Sequence, residues 1–201
     1  MTTPAGKPAI LHKGTAIRNI RLFIDQHVGA GAYDRFCREV EPSWSGTVLR
    51  TVWYDMYTCT HAYAQAAKAM GISQREIIKQ ASKFCLEQDL GTVARAVLTV
   101  FDPVPKTILA LWPKMATGYI NFGRIEIVEN VPGRFSFDFF AIPDPSPEFV
   151  ASVEGSMEGV LRGLVEACKH KPLGYQVVQS GPDPADPKMA MFRCLLTYEG
   201  S

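Results

Sequence analysis

No single excess in this 201-residue chain points to a job. Its 21 lysines and arginines nearly cancel its 20 aspartates and glutamates, so it lacks the basic surplus that phosphate neutralisation demands, and no nucleic-acid partner is expected. It also lacks the acidic, aromatic-poor composition of disorder, because 10% of residues are aromatic and 47% hydrophobic. No run approaches the roughly 18 apolar residues of a membrane span. Residues 1–8 contain no apolar signal core, and a cytoplasmic protein is expected. Cys37, Cys59, Cys85, Cys168 and Cys194 form no C-x-x-C pair, and an odd number at wide intervals fits reduced thiols better than a disulfide framework. His12, His27, His61 and His170 are equally dispersed, so no local zinc spacing exists and no metal is expected. Phosphate-binding glycine loops, the G-x-S-x-G elbow and H-E-x-x-H are missing too. No cofactor and no catalytic residue is expected, and an enzyme is the weaker hypothesis.

What is present divides the chain in two. Residues 1–120 carry 14 basic and 9 acidic side chains, a surplus of +5, whereas residues 121–201 carry 7 and 11, a deficit of −4. Solvated faces explain such a split most simply; attraction between opposite surfaces of the domain, or of two subunits, is the sharper reading. The hydrophobic period changes at the same place, from 3.6 to 2.

In the first half, a flexible arm over 1–12 precedes a helix from about Thr15 to Val28, carried by Ile17, Ile20 and Ile24. A short second helix stops before Pro42. The third helix is predicted from about Val48 to Met70, with Gly71 in the position that favours a left-handed residue. Ser73 to Glu76 is a capping box for a fourth helix, whose pattern is interrupted at Asp89-Leu90-Gly91-Thr92, resumes from Val93 to Phe101 and stops at Asp102-Pro103. A last helix of this half starts at Pro105 and is kinked or broken by Pro113. The second half alternates as strands: Ile125 and Ile127, a turn at Val131-Pro132-Gly133, then Phe135, Phe137 and Phe139. After the proline-rich connector 143–147 come a helix to about His170 and two strands, Leu173 to Gln179 and Met189 to Glu199. Helices followed by β-β-α-β-β predict an α+β domain over 13–201, with a helical part (13–120) packed on a four-stranded antiparallel sheet (121–201).

Two patterns invite a functional reading. Gly155, Gly159 and Gly163 stand at i, i+4 and i+8 of one helix, each costing about 0.8–1 kcal/mol of helix propensity relative to alanine. Their missing side chains permit a close backbone approach, either inside the domain or across a homodimer interface. On the third helix, Tyr54, Thr58, His61 and Gln65 form a polar-edged stripe beside an apolar one. Such residues could line a mostly apolar pocket with a few orienting groups, and Trp53, Tyr57, His61 and Trp112 are the expected ligand-lining residues. The Cys59 and His61 pair is i, i+2 and points to two sides of a helix, so it forms no local thiolate and base.

Taken in order, Lys13-Gly14, Val52-Trp53-Tyr54, Leu90-Gly91-Thr92 with Arg95, Leu111-Trp112-Pro113 to Tyr119, Gly123-Arg124 and the glycine-rich helix resemble a paralogous domain family of unknown function abundant in myxobacteria. That family is similar in outline to the NO-signalling and Golgi-transport superfamily, which includes 4-vinyl reductase domains, the sensory domains of phenol-responsive activators and trafficking subunits. The resemblance implies a helical layer on a four-stranded sheet, frequent dimerisation and an apolar ligand channel. The zinc-binding cysteine cluster of the phenol-sensing relatives has no counterpart, since Cys168 and Cys194 stand alone. The helical beginning also resembles haem-based NO sensors, but their Tyr-x-Ser-x-Arg signature is missing. The expected function is a non-enzymatic, small-molecule-binding or sensory module for an apolar or aromatic ligand, signalling by association with itself or with an unknown protein. The alternatives are a scaffold module without ligand and a haem-binding or reductase-type enzyme.

Overall fold

The structure, a computed structural model, describes residues 10–90, 104–141, 147–187 and 189–200. The helical resumption expected from Val93, its stop at Asp102-Pro103 and most of the proline-rich connector lie outside the described residues. Strand β1 (Leu11–Lys13) leads directly into α1 (Gly14–Val28), and α2 (Ala32–Val40) follows the turn that Gly29 and Gly31 allow. Residues 11 and 12 are thus part of the fold rather than of a free arm, because β1 pairs antiparallel with β2 (Trp53–Asp55).

Helix α3 (Met56–Met70) starts eight residues later than its periodicity predicts. Asp55 is the reason: its carboxylate accepts from the Tyr57 amide at 2.7 Å, a helix N-cap. Leu49 and Val52, whose spacing continues the helical pattern, lie on the exposed turn before it. Gly71, with φ +68°, closes α3 as expected. Helix α4 (Gln74–Leu90) begins with Ser73 Oγ accepting from the Glu76 amide at 3.1 Å. Only this half of the capping box forms, since the Glu76 carboxylate instead meets Lys79 and Gln80. Pro105 opens the six-residue α5 (Pro105–Ala110), and Pro113 falls in the first turn of α6 (Trp112–Ala116), so the expected break becomes two short helices.

Strands β3 (Arg124–Val131) and β4 (Arg134–Ala141) form the aromatic hairpin, turning at Gly133 with φ +80°. Helix α7 (Pro147–Ala167) then precedes β5 (Pro172–Pro182) and β6 (Ala190–Tyr198). All pairings are antiparallel and the spatial order is β3-β4-β6-β5. The α+β architecture and the four-stranded sheet are as the sequence predicts; the small β1-β2 sheet is additional.

Among the described residues, two apolar clusters form the interior. One joins the inner face of the sheet (Phe135, Phe137, Phe139, Leu196) to Leu161 and Leu164 of α7. The other joins α1 to α4 around Ile17, Ile24, Tyr33, Ala62 and Ile77. Helices α4 and α7 meet where the clusters join, and the glycine stripe explains how closely. A β-carbon on Gly155 would lie 2.6 Å from the Arg75 carbonyl oxygen, and one on Gly159 would lie 2.2 Å from that of Lys79. On Gly163 it would meet the Leu86 side chain at 2.8 Å. The face proposed for a dimer interface is occupied by α4, and the three glycines serve the packing of this chain on itself.

Charge follows the same seam. Arg75 of α4 pairs with Glu154 at 3.2 Å and Glu158 at 2.8 Å, and Lys83 pairs with Glu166, all three carboxylates being on α7. Part of the basic surplus of the first half thus meets part of the acidic surplus of the second inside one chain.

Candidate functional site

A pocket of about 90 Å³ lies at the junction of the two apolar clusters. Its wall draws Ala16 and Ile20 from α1, Met56 and Tyr63 from α3, Ile78 to Asp89 from α4, Trp112 to Ala116 from α6, and Ser152 to Val160 from α7. β1 adds His12. The wall is mainly apolar with few polar groups, the usual make-up of a small-molecule site.

β1 positions the imidazole. His12 stands opposite Tyr54 of β2 and bridges to Ile120, while the Leu11 amide donates to Asn121 Oδ1 at 2.8 Å. Its ring meets that of Phe122 edge-on at 6.3 Å. Gly14 lets the chain enter α1 against the next loop, since a β-carbon there would lie 1.9 Å from the Leu49 carbonyl oxygen. Burial lowers the His12 pKa to about 4, so the ring is neutral at pH 7. Its Nδ1 is buried and meets no partner.

Further polar groups belong to the wall. Asp89, near the end of α4, accepts from Asn19 Nδ2 at 3.1 Å through Oδ1, while its Oδ2 is buried without a partner. The neighbouring Tyr119 phenol is pushed up, first by burial and then by this carboxylate. Trp112 is 5% exposed, and its indole Nε1 is also buried without a partner. Ser82 donates to Ser156 at 3.3 Å and ties α4 to α7 across the pocket wall.

Of the expected ligand-lining residues, the structure brings Trp112 to the pocket and leaves the others away from its wall. Tyr57 is 68% exposed. His61 turns to α2, where its Nε2 lies 2.8 Å from Glu39 Oε2. Trp53 is covered by Lys13, whose Nζ stands 5.5 Å from the ring centre. Trp53 lies on β2 rather than on the helix, and Tyr57 and His61 stand on faces of α3 turned to solvent and to α2. His12, Asp89 and the α7 residues were missed because the wall is assembled from segments far apart in sequence. Only the break in periodicity at Asp89 gave a local signal.

Three of the five thiols are held away from the thiolate form. Burial raises Cys37 to about 12 and pushes Cys59 and Cys85 up as well, so these three are protonated at neutral pH. Among the described residues no group of three or more histidine, cysteine or acidic side chains could hold a metal ion. No described helix is long and apolar enough to cross a membrane.

No protein-family profile matches the sequence, and no curated protein does. Solved structures do match. An H-NOX protein from K. algicida superposes with a TM-score of 0.68 at 10% identity, covering 94% of this chain and 97% of that one. A point variant of the Tt H-NOX protein gives 0.68 at 11% identity, covering 94% and 95%. An oxygen-binding H-NOX domain related to soluble guanylate cyclases gives 0.64 at 10% identity over 94% and 95%. This chain has the H-NOX fold. The likeness spans nearly the whole length of both chains, and at this identity it concerns the fold alone.

Two further matching structures concern a haem and the distortion of its porphyrin. The pocket formed by the described residues of this H-NOX-like chain does not fit one. A porphyrin is several times larger than benzene, yet the space here is about 90 Å³, less than the roughly 150 Å³ of a cavity that accepts benzene. Among the described wall residues there is no lysine or arginine to receive the haem propionates. His12 Nδ1 alone offers a neutral imidazole nitrogen.

Proposed function

We infer that this chain is a non-enzymatic, small-molecule-binding sensory module that takes its ligand at the junction of its two apolar clusters. The observation that carries the reading is the pocket itself. Both clusters and the α4–α7 seam contribute to its wall, so an occupant touches α1, α3, α4, α6 and α7 together. A ligand shifts such a molecule only through different affinities for two of its states, and a site shared by two cores is where a change in their relative position alters affinity. The protonated thiols and the lack of a metal cluster among the described residues also favour binding over catalysis.

The ligand is small. A pocket of about 90 Å³ is below the space for an aromatic ring, although Met56, Met115 and Met157 on its wall are side chains that yield readily. Xenon, an apolar probe of one atom, tests the site. Under xenon pressure the N–H spectrum of the protein should show saturable shifts at Ile20, Ile78, Trp112 and Met157, and unfolding should move to higher urea. Unchanged spectra would remove the reading.

Association is the proposed output. The glycine stripe is engaged with α4, so a homodimer or a protein partner would use another surface; Val128 on β3 and Leu173 on β5, exposed apolar residues of the two edge strands, are available. Light scattering should give a mass near twice 22.2 kDa. A monomer at every concentration would end the homodimer proposal and leave the ligand site untouched.

A further inference from the structure

Six buried side-chain atoms among the described residues have no hydrogen-bond partner, and three of them belong to wall residues of one pocket: His12 Nδ1, Asp89 Oδ2 and Trp112 Nε1. Buried polar groups in native proteins are paired almost without exception, so a cluster of unpaired ones needs an explanation. Their chemistry restricts what could answer them. The Trp112 indole N–H only donates and needs an acceptor, whereas Asp89 Oδ2 is a carboxyl oxygen that accepts, its carboxyl already taking the Tyr119 phenol as one partner. The neutral His12 ring presents Nδ1 as donor or acceptor according to its tautomer. A hydrocarbon satisfies none of these groups. An alcohol oxygen accepts from an indole N–H and donates its own proton to a carboxylate or an imidazole nitrogen.

Resting on the reading of this pocket as a ligand site, we propose that its ligand is a short aliphatic alcohol, whose carbon chain contacts the apolar wall and whose hydroxyl pairs with Trp112 and with Asp89 or His12. Size agrees with polarity. About 90 Å³ is less than the roughly 150 Å³ of a cavity that accepts benzene, which suits a molecule of a few non-hydrogen atoms. No cationic side chain among the described residues lines the pocket, so nothing there favours an acid in place of the neutral alcohol.

The indole N–H resonances give the readout, because the chain has three tryptophans. Trp44 already donates to Asp34 Oδ1 at 3.0 Å, and Trp53 lies under Lys13, so both serve as internal controls. 1-Propanol is titrated against butane, an apolar molecule of the same heavy-atom count, with xenon as the size control. The proposal expects a saturable downfield shift of the Trp112 N–H with 1-propanol, at least about tenfold tighter binding than butane, and loss of that preference in Trp112→Phe. The wild-type titration stands alone if that variant does not fold. Equal binding of propanol, butane and xenon would overturn the alcohol assignment and keep the pocket as a ligand site. No saturable shift with any of the three would overturn both.

Discussion

At His12 the cost of burial falls on the charged form of the ring. Its folded pKa is about 4 against an ordinary 6.5, so the unfolded chain binds a proton between these values that the folded chain refuses. The contribution to stability is complete above pH 6.5, is lost as the pH falls towards 4, and is constant below that. The loss is on the order of 2 to 3 kcal/mol. Urea unfolding at pH 7.5 and 4.5 should show it in the wild type and not in His12→Phe, whose ring keeps the edge contact with Phe122. Equal pH dependence in the two proteins would place the acid sensitivity elsewhere. His12 was not legible as a pocket residue because nothing in Leu11-His12-Lys13 indicates a strand; pairing with Trp53–Asp55, some forty residues away, makes it one. Trp112 was legible, since an indole just after a helix break and before a proline is an aromatic fixed at an element end.

Among the elements, α4 and α7 make the contact that the rest of the molecule depends on. The spacing of Gly155, Gly159 and Gly163 made a close approach legible, but three residues on one stripe do not say what approaches. The structure answers with the backbone of α4. Alanine at 159 would gain about 1 kcal/mol of helix propensity, but its methyl group meets the Lys79 carbonyl and cannot be relieved by a rotamer change. Gly159→Ala should therefore lower stability by about 2 to 3 kcal/mol net. Gly163→Ala meets the end of the Leu86 side chain, which can turn away, and should stay within about 1 kcal/mol of wild type. Chemical denaturation of the two variants side by side checks the difference. The start of α3 shows the opposite failure of legibility: a wide apolar stripe overran the true boundary because residues 48–52 keep helical spacing on an exposed turn. Asp55 was the readable stop, a capping residue directly before Met56.

The whole molecule is two cores with a shared wall, and its sequence showed the halves better than the joint. Period and charge both changed near residue 120, because each core draws mostly on local elements; the pocket joins segments from residue 12 to residue 160 and leaves no local pattern. Trp44 packs against the helical core and Trp112 belongs to the sheet core, so their N–H signals report the two separately. In the wild type both should vanish at the same urea concentration, and in Gly159→Ala the two midpoints should separate. Coincident midpoints in the variant would show that the seam is not what couples the cores. A ligand at ten times its Kd should raise both wild-type midpoints together, by about 1.4 kcal/mol of stability. The buried thiols add a time axis to this picture. Cys37 and Cys59 lie in one core and Cys194 in the other, all three closed to solvent and protonated while the chain is folded. An alkylating reagent therefore marks each core only at the moments when it opens, and the order in which the labelled peptides accumulate is a record of which half of the molecule breathes first.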